Sequence, residues 1–559
     1  MDLPPSPPRV NQLASLASGD ISFLSFLTQT LQNLSPQTIL MILSIMVGGI
    51  TGLGIVTFHY LIEVIDNLLL VDLMGVIYTH GAWTLACVPT AGGLIVGLMR
   101  WFYPDFGPGI ASMVEATQGL KEITPLRPIT KMIAAAVSLG SGASLGPEAP
   151  SVEIGANIGI LFAQALRVSL ERQRLLLGAG AAAGLAAGFN APIAGVFFAL
   201  EVVLGSTFAT SSVSVVLLSA VISSLVAQIC LGTQPAFALP VYDVRSPWEL
   251  PLYIGLGVLA CCVSLSYKKG IKSAERFFRG EIPGFTGLAR LPHFVRPVIG
   301  GACVGIAALQ WPQVLGVGYE TVEAMLQNVD FSVGLLCCLL IVKLIMTAVS
   351  LGSGLVGGIF APAMFLGATL GSAYGMVLAM IPGISDHIAG PPAYAMVGMA
   401  AVLAGTVKAP LTSILLLFEL TRDYRIVLPL MAAVGLSVWL VEVSQNLLHQ
   451  NQPLNLYEMG VDVDVTPEDM IPVVELNSLP AWEKELDHSI LNHCVTNENH
   501  ELHELHELND QQLNDLLGIG EKLENSLITE EDLPLVGVTS QVLSGEVLAR
   551  EIQETKENE

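Results

Sequence analysis

Two stretches of this chain are written from one template. KMIAAAVSLGSGASLGPEAPSVEIGANIG (131–159) and KLIMTAVSLGSGLVGGIFAPAMFLGATLG (343–371) share AVSLGSG. At a constant offset of 212, Lys131 meets Lys343, Gly146 meets Gly358, Ala149-Pro150 meets Ala361-Pro362, and Gly159 meets Gly371. Other blocks keep the same order. PTAGGLIVG (89–97) sits beside PVIGGACVG (297–305), GPGIASMVEA (107–116) beside GVGYETVEA (316–324), and NAPIAGVFFALE (190–201) beside KAPLTSILLLFE (408–419). Their offsets drift only from 208 to 218, as loop insertions would make them. The chain must therefore build one architecture twice, and the spacing leaves open whether the copies run parallel or inverted.

Hydropathy says what that unit is made of. Of 559 residues, 52% are hydrophobic and 13% charged, and the mean hydropathy is +0.64. Apolar runs long enough to cross a bilayer recur from about residue 37 to about residue 445. A spanning backbone must satisfy its own polar groups, so an all-α polytopic membrane protein is predicted. The start, MDLPPSPPRVNQLASLASGD, lacks a basic segment followed by an apolar one, so no cleaved signal peptide is expected. The expected division is a cytoplasmic segment 1–36, a first membrane repeat 37–231, a linker 232–246, a second repeat with a final helix 247–460, and an acidic cytoplasmic tail 461–559.

The net charge of −24 is unevenly spread. Residues 458–559 hold 25 acidic and 4 basic residues, leaving 23 and 20 of the chain's 48 and 24 to residues 1–457. The membrane part is close to neutral, and so acidic a tail argues against nucleic acid and anionic lipid as partners. In the tail, His500, His503 and His506 recur at three-residue spacing, a pattern of a solvated or pH-responsive helix more than of a metal site. Seven of the eight cysteines lie in apolar segments and none forms a CxxC, so they read as packing residues. No metal and no cofactor are expected, and no nucleophile elbow, HExxH or Walker loop points to an enzyme.

Many apolar segments are short and broken by Gly or Pro, at 107–118, 149–166, 192–204 and 408–420. Irregular backbone at membrane depth is tolerated only where it is buried or lines an aqueous cavity. Broken helices in repeats place a substrate site near the midplane, where the halves meet. Residues that differ between the copies are the better functional candidates. Glu148 of GPEAP stands opposite Phe360 of GIFAP, and Pro108 of GPGIA opposite Val317 of GVGYE. Glu148 falls at a helix start, between Gly146-Pro147, expected to end one helix, and Pro150 in the first turn of the next. Such a terminus favours a carboxylate or any small anion. A tethered carboxylate there competes with a soluble anion and lets go when protonated; the alternative is a structural helix cap. The amides of Ile359 and Phe360, and the Gly109 entrance, would complete an electropositive spot without Lys or Arg, from which an anion can still leave.

These motifs resemble the CLC family of chloride channels and chloride/proton exchangers. The family pattern GSGIP, G(K/R)EGP and GxFxP, followed by a late Tyr, is matched by GPGIA, GPEAP, GIFAP and the Tyr457 of NLYEMG. The resemblance covers about residues 40–460. It implies a CLC-type fold of two repeated halves with many short, broken, tilted helices, a homodimer in the lipid bilayer, and one pore per subunit. It implies that Glu148 is the gate, and that Ile359, Phe360 and Tyr457 hold the central anion, chloride being the bound substrate ion. Pro108 stands where the family carries Ser and resembles the plant branch that prefers nitrate. Val202 stands where proton-coupled members carry a second Glu. That leaves Glu201 as either a proton-path residue with Glu148 or, having a counterpart in Glu419, a scaffold carboxylate bonding backbone N–H groups.

The expected function is transport of small inorganic anions, chloride or nitrate, across the cell membrane, as a channel or in exchange for protons. The rival of another class is a cation-coupled carrier for an anionic metabolite; a further one is a membrane sensor working through its tail. Glu115 with Lys131, and Glu323 with Lys343, are expected to form one ion pair in each half or to snorkel. Because Ser offers a hydroxyl donor that Pro lacks, Pro108→Ser is expected to shift the chloride-to-nitrate flux ratio toward chloride in liposomes; an unchanged ratio refutes the selectivity role.

Overall fold

The computed structural model describes residues 36–73, 81–103, 106, 126–205, 210–232 and 249–449, apart from positions 283, 285–286, 288–289, 328, 330, 384–387 and 423. Pro108, Gly109, Glu115, Tyr457, residues 233–248 and the acidic tail lie outside them. Among the described residues the fold is helical. The first half runs α1 (Pro36–Asp66), α2 (Cys87–Phe102), α3 (Leu126–Gly140), α4 (Glu148–Ala165), α5 (Leu170–Phe189), α6 (Pro192–Phe198) with a π turn (Ala199–Val203), and α7 (Thr210–Leu231). The second runs α8 (Leu250–Arg279), α9 (Arg296–Gln310), α10 (Tyr319–Leu326), α11 (Val333–Ser353), α12 (Phe360–Ala379), α13 (Pro391–Val407), α14 (Pro410–Thr421) and α15 (Val427–His449). Among the described residues, seven helical stretches are long and apolar enough to cross a membrane; others, such as α14 with 12 residues, reach only about 18 Å. Broken helices are thus present in both halves, as the Gly and Pro breaks predict.

The orientation of the copies is decided by contacts between equivalent residues. Helices α2 and α9 pack antiparallel. Gly93 lies against the Pro297 carbonyl and Gly301 against that of Pro89; Gly97 meets Phe294, and Gly305 meets Ala86. Each contact is the repeat image of another. Two equivalent membrane helices that cross antiparallel on a shared two-fold axis make the repeats inverted.

Small residues set how closely the helices approach. Without water to drive burial in lipid, helices associate through packing and close backbone contact. Gly155 of α4 and Gly180 of α5 each place their Cα against the other's carbonyl oxygen, and Gly367 of α12 and Gly398 of α13 repeat the arrangement. A Cβ at any of the four would collide with backbone. These contacts draw α4 and α12 into the interior; the largest buried cluster runs through α12 and α13, with Phe365, Leu366, Met396 and Val397 fully enclosed. Large side chains such as Leu53, Ile229, Leu428 and Trp439 instead point outward, as a lipid-facing surface requires.

Gly398→Ala is expected to cost about 1–3 kcal/mol through overpacking, seen as a lower melting temperature in detergent. Gly435→Ala, where an added Cβ meets nothing within 4 Å, is expected to leave the melting temperature unchanged or raise it.

Candidate functional site

The repeated phrase AVSLGSG is where two helices stop. Helix α3 ends at Gly140 and α11 at Ser353, each followed by a glycine in the left-handed region, Gly142 at φ 88° and Gly354 at φ 94°. The sequence places the end of the first helix at Gly146-Pro147. The structure ends it at Gly140, because the chain must turn back through 141–147 to reach the middle of the fold. Hydrogen bonds to neighbouring segments hold the two loops in place. The Ser138 hydroxyl accepts from the Val356 amide at 3.1 Å, the Gly316 amide donates to the Gly142 carbonyl at 2.9 Å, and Arg100 Nε donates to the Gly354 carbonyl at 3.1 Å.

The loops meet at Gly146 and Gly358. Each amide donates to the other's carbonyl, at 2.9 and 2.6 Å, in an antiparallel bridge between equivalent residues. Two residues beyond the bridge on either side, α4 and α12 begin, with Pro147 and Ile359 as caps. Their third residues are Pro150 and Pro362, which have no N–H. Unpaired amides at each start are therefore those of the first two residues, where the helix dipole is strongest.

Glu148, the first residue of α4, is 2% exposed. Its carboxylate crosses to the other half. Oε2 accepts from the Ala361 amide of α12 at 3.4 Å, and Oε1 from the Tyr319 hydroxyl of α10 at 2.5 Å. The side chain lies back over Gly146, where an added Cβ would strike it. Phe360, 6% exposed, stacks edge-on with Phe198 of α6 at 5.7 Å, and the Ile359 carbonyl accepts from the Tyr267 hydroxyl at 3.3 Å. Glu148, Ile359 and Phe360 are thus brought together, while Pro108, Gly109 and Tyr457 fall outside the described residues. Ala361 and Tyr319 were not anticipated. Tyr319 had a signal: it is the counterpart of Ile110, the same kind of asymmetry that singles out Glu148.

Lys343 corrects an expectation. The sequence pairs it with Glu323 or lets it snorkel, and foresees no cation at the site. It is fully buried on α11; its ammonium donates to the carbonyls of Gly316 (2.7 Å) and Val314 (3.2 Å) and sits 5.0 Å over the Phe365 ring. Glu323 accepts instead from Gln327. The ammonium lies beside Gly318, the residue before Tyr319. A buried charge needs partners, and carbonyls of the loop before α10 are nearer than the outward-facing Glu323. In the first half Lys131 pairs with Glu153 at 2.9 Å.

Glu201 has a structural occupation. Its carboxylate accepts from the amides of Leu411 and Thr412 (3.2 and 3.0 Å) and from the Thr412 hydroxyl (2.7 Å), at the start of α14. Glu419 does the same for Ile193 and Ala194 (2.9 and 2.7 Å) at the start of α6. Each half caps a helix of the other. Glu201→Gln and Glu419→Gln should each lower thermal stability by about 1–3 kcal/mol; a marked difference between them would give Glu201 a further task.

Comparison with known proteins agrees with this architecture. A family model described as voltage gated chloride channel matches residues 91–442. Two Arabidopsis thaliana proteins, chloride channel protein CLC-e and chloride channel protein CLC-f, are 41% and 42% identical over 424 and 370 residues, 71% and 64% of this chain. The matches span 58% and 47% of those relatives' own lengths. A crystal structure of a slow cyanobacterial Cl-/H+ antiporter is similar with a TM-score of 0.64 at 25% identity, over 75% of this chain and 98% of that one.

Proposed function

The chain belongs to the voltage gated chloride channel (CLC) family, and from that premise we propose that it carries small inorganic anions, chloride first, through the place where the Glu148 carboxylate stands. The observation that carries this reading is the bridge between the two halves: a single carboxylate at the start of α4 is held by donors from α10 and α12. Those donors are preorganised for one negative charge of about the size of a carboxylate oxygen. Ionised, Glu148 occupies the place and blocks it; protonated, it loses its claim on the donors and an anion takes them. Neutral donors hold the anion without the full charge that would trap it. Lys343, its bonds spent on two carbonyls, adds a background field and no direct ligand.

Passive anion movement is favoured over strict exchange by Val202, which cannot carry a proton, and by Glu201, whose carboxylate is committed to the start of α14. The second reading, chloride/proton exchange, draws on the likeness to the cyanobacterial antiporter. A carrier for a larger metabolite needs a cavity of about 300 Å³ or more, whereas here the carboxylate lies in direct contact with both helix starts. We extend the proposal to a homodimer in the cell membrane, with Pro108 and Tyr457 lining the same path.

The test is chloride, nitrate and proton flux measured together on purified protein in liposomes, before and after Glu148→Ala. Chloride flux is expected to persist or rise in the variant and to lose its dependence on external pH. Uphill proton movement driven by a chloride gradient in the unmodified protein would overturn passive transport in favour of exchange. A Glu148→Ala protein that is folded yet neither binds nor moves chloride would overturn the gate.

A further inference from the structure

Tyr319 opens α10, directly after Gly318, whose φ of 84° turns the chain into the helix. Two contacts pin this turn. A Cβ on Gly318 would meet the Phe365 ring of α12, and the carbonyl of Gly316 holds the Lys343 ammonium at 2.7 Å. The phenol therefore projects from a fixed base, and its hydroxyl reaches Oε1 of Glu148 at 2.5 Å, the short range of a charge-assisted O–H···O bond. Oε2 faces the Ala361 amide. The two oxygens of one carboxylate are thus taken by two donors on different helices, and both donors aim at the same small volume.

An acceptor that leaves does not remove its donors. If Glu148 withdraws, the Tyr319 hydroxyl and the Ala361 amide stay directed at the vacated place. An incoming anion satisfies both. A hydroxyl suits that task, being a directional donor with no net charge. It also enters from the half that has one to offer: in the equivalent sequence of the first repeat, GPGIA, neither Pro108 nor Ile110 carries a hydroxyl.

We infer that the Tyr319 hydroxyl is a direct side-chain ligand of the transported anion, shared in turn between the Glu148 carboxylate and the ion that replaces it. This rests on Glu148 being the gate, so its test uses a background in which the gate is already removed. Chloride binding to the purified full-length protein is measured by calorimetry for Glu148→Ala and for Glu148→Ala with Tyr319→Phe. Loss of one hydrogen bond to a charged ligand should weaken chloride binding on the order of tenfold. Unchanged affinity in the double variant, with Glu148→Ala binding chloride normally, overturns the role of Tyr319 and leaves the gate standing. Absence of chloride binding in folded Glu148→Ala itself overturns both. Should Tyr319→Phe fail to fold, 3-fluorotyrosine incorporated at 319 in the Glu148→Ala protein keeps the shape and makes the phenol a stronger donor. Chloride is then expected to bind about twofold more tightly with no change in melting temperature, and equal affinity overturns the inference.

Discussion

Two hydrogen bonds between Gly146 and Gly358 are the constraint on which this structure turns. They join the loop between α3 and α4 to the loop between α11 and α12. Because the pairing is reciprocal and antiparallel, it lies on the local two-fold relation between the halves. Because it is immediately followed by α4 and α12, it sets two helix N-termini side by side. Backbone bonds of this kind are strong where water is excluded. The site therefore needs no cationic side chain as a direct ligand: its partial positive charge is a by-product of where two helices begin.

Everything around the bridge works in mirrored pairs. Gly93 and Gly301 let α2 and α9 cross in contact; Gly155 with Gly180 and Gly367 with Gly398 bring α4 and α12 against their neighbours; Glu201 and Glu419 each cap a helix of the opposite half. Reciprocity matters energetically. The starts of α6 and α14 are each satisfied by a carboxylate of the opposite half, so neither half is complete without the other. A carboxylate such as Glu201, spent in that way, is poorly placed to be spared for chemistry.

The chemistry lies where the mirror fails. Glu148 has Phe360 as its image, and Tyr319 has Ile110. Lys131 and Lys343 share a position but not a partner, one bonded to Glu153 and the other to two carbonyls. A perfectly symmetric fold would offer two equivalent helix starts and no carboxylate standing at either. Replacing one apolar residue by a carboxylate and another by a phenol turns a shared electropositive point into a site that one half can occupy and the other can hold.

Much of this was legible in the chain. Hydropathy determined a multi-pass helical protein, since only helices that bond internally tolerate runs of that length in lipid, and the order of the repeated blocks determined two copies of one unit. Gly and Pro breaks located the helix starts near 148 and 360 because those residues interrupt helices through local backbone geometry. The tertiary structure alone decided that the copies are inverted, that Glu148 reaches Ala361 and Tyr319, and that Lys343 leaves Glu323 for the carbonyls of Gly316 and Val314. The first two depend on which segments meet across more than 170 residues of chain, and the third on how the loop 27 and 29 residues before Lys343 folds back over it; spacing along a sequence records helix periodicity but not the direction in which two helices cross.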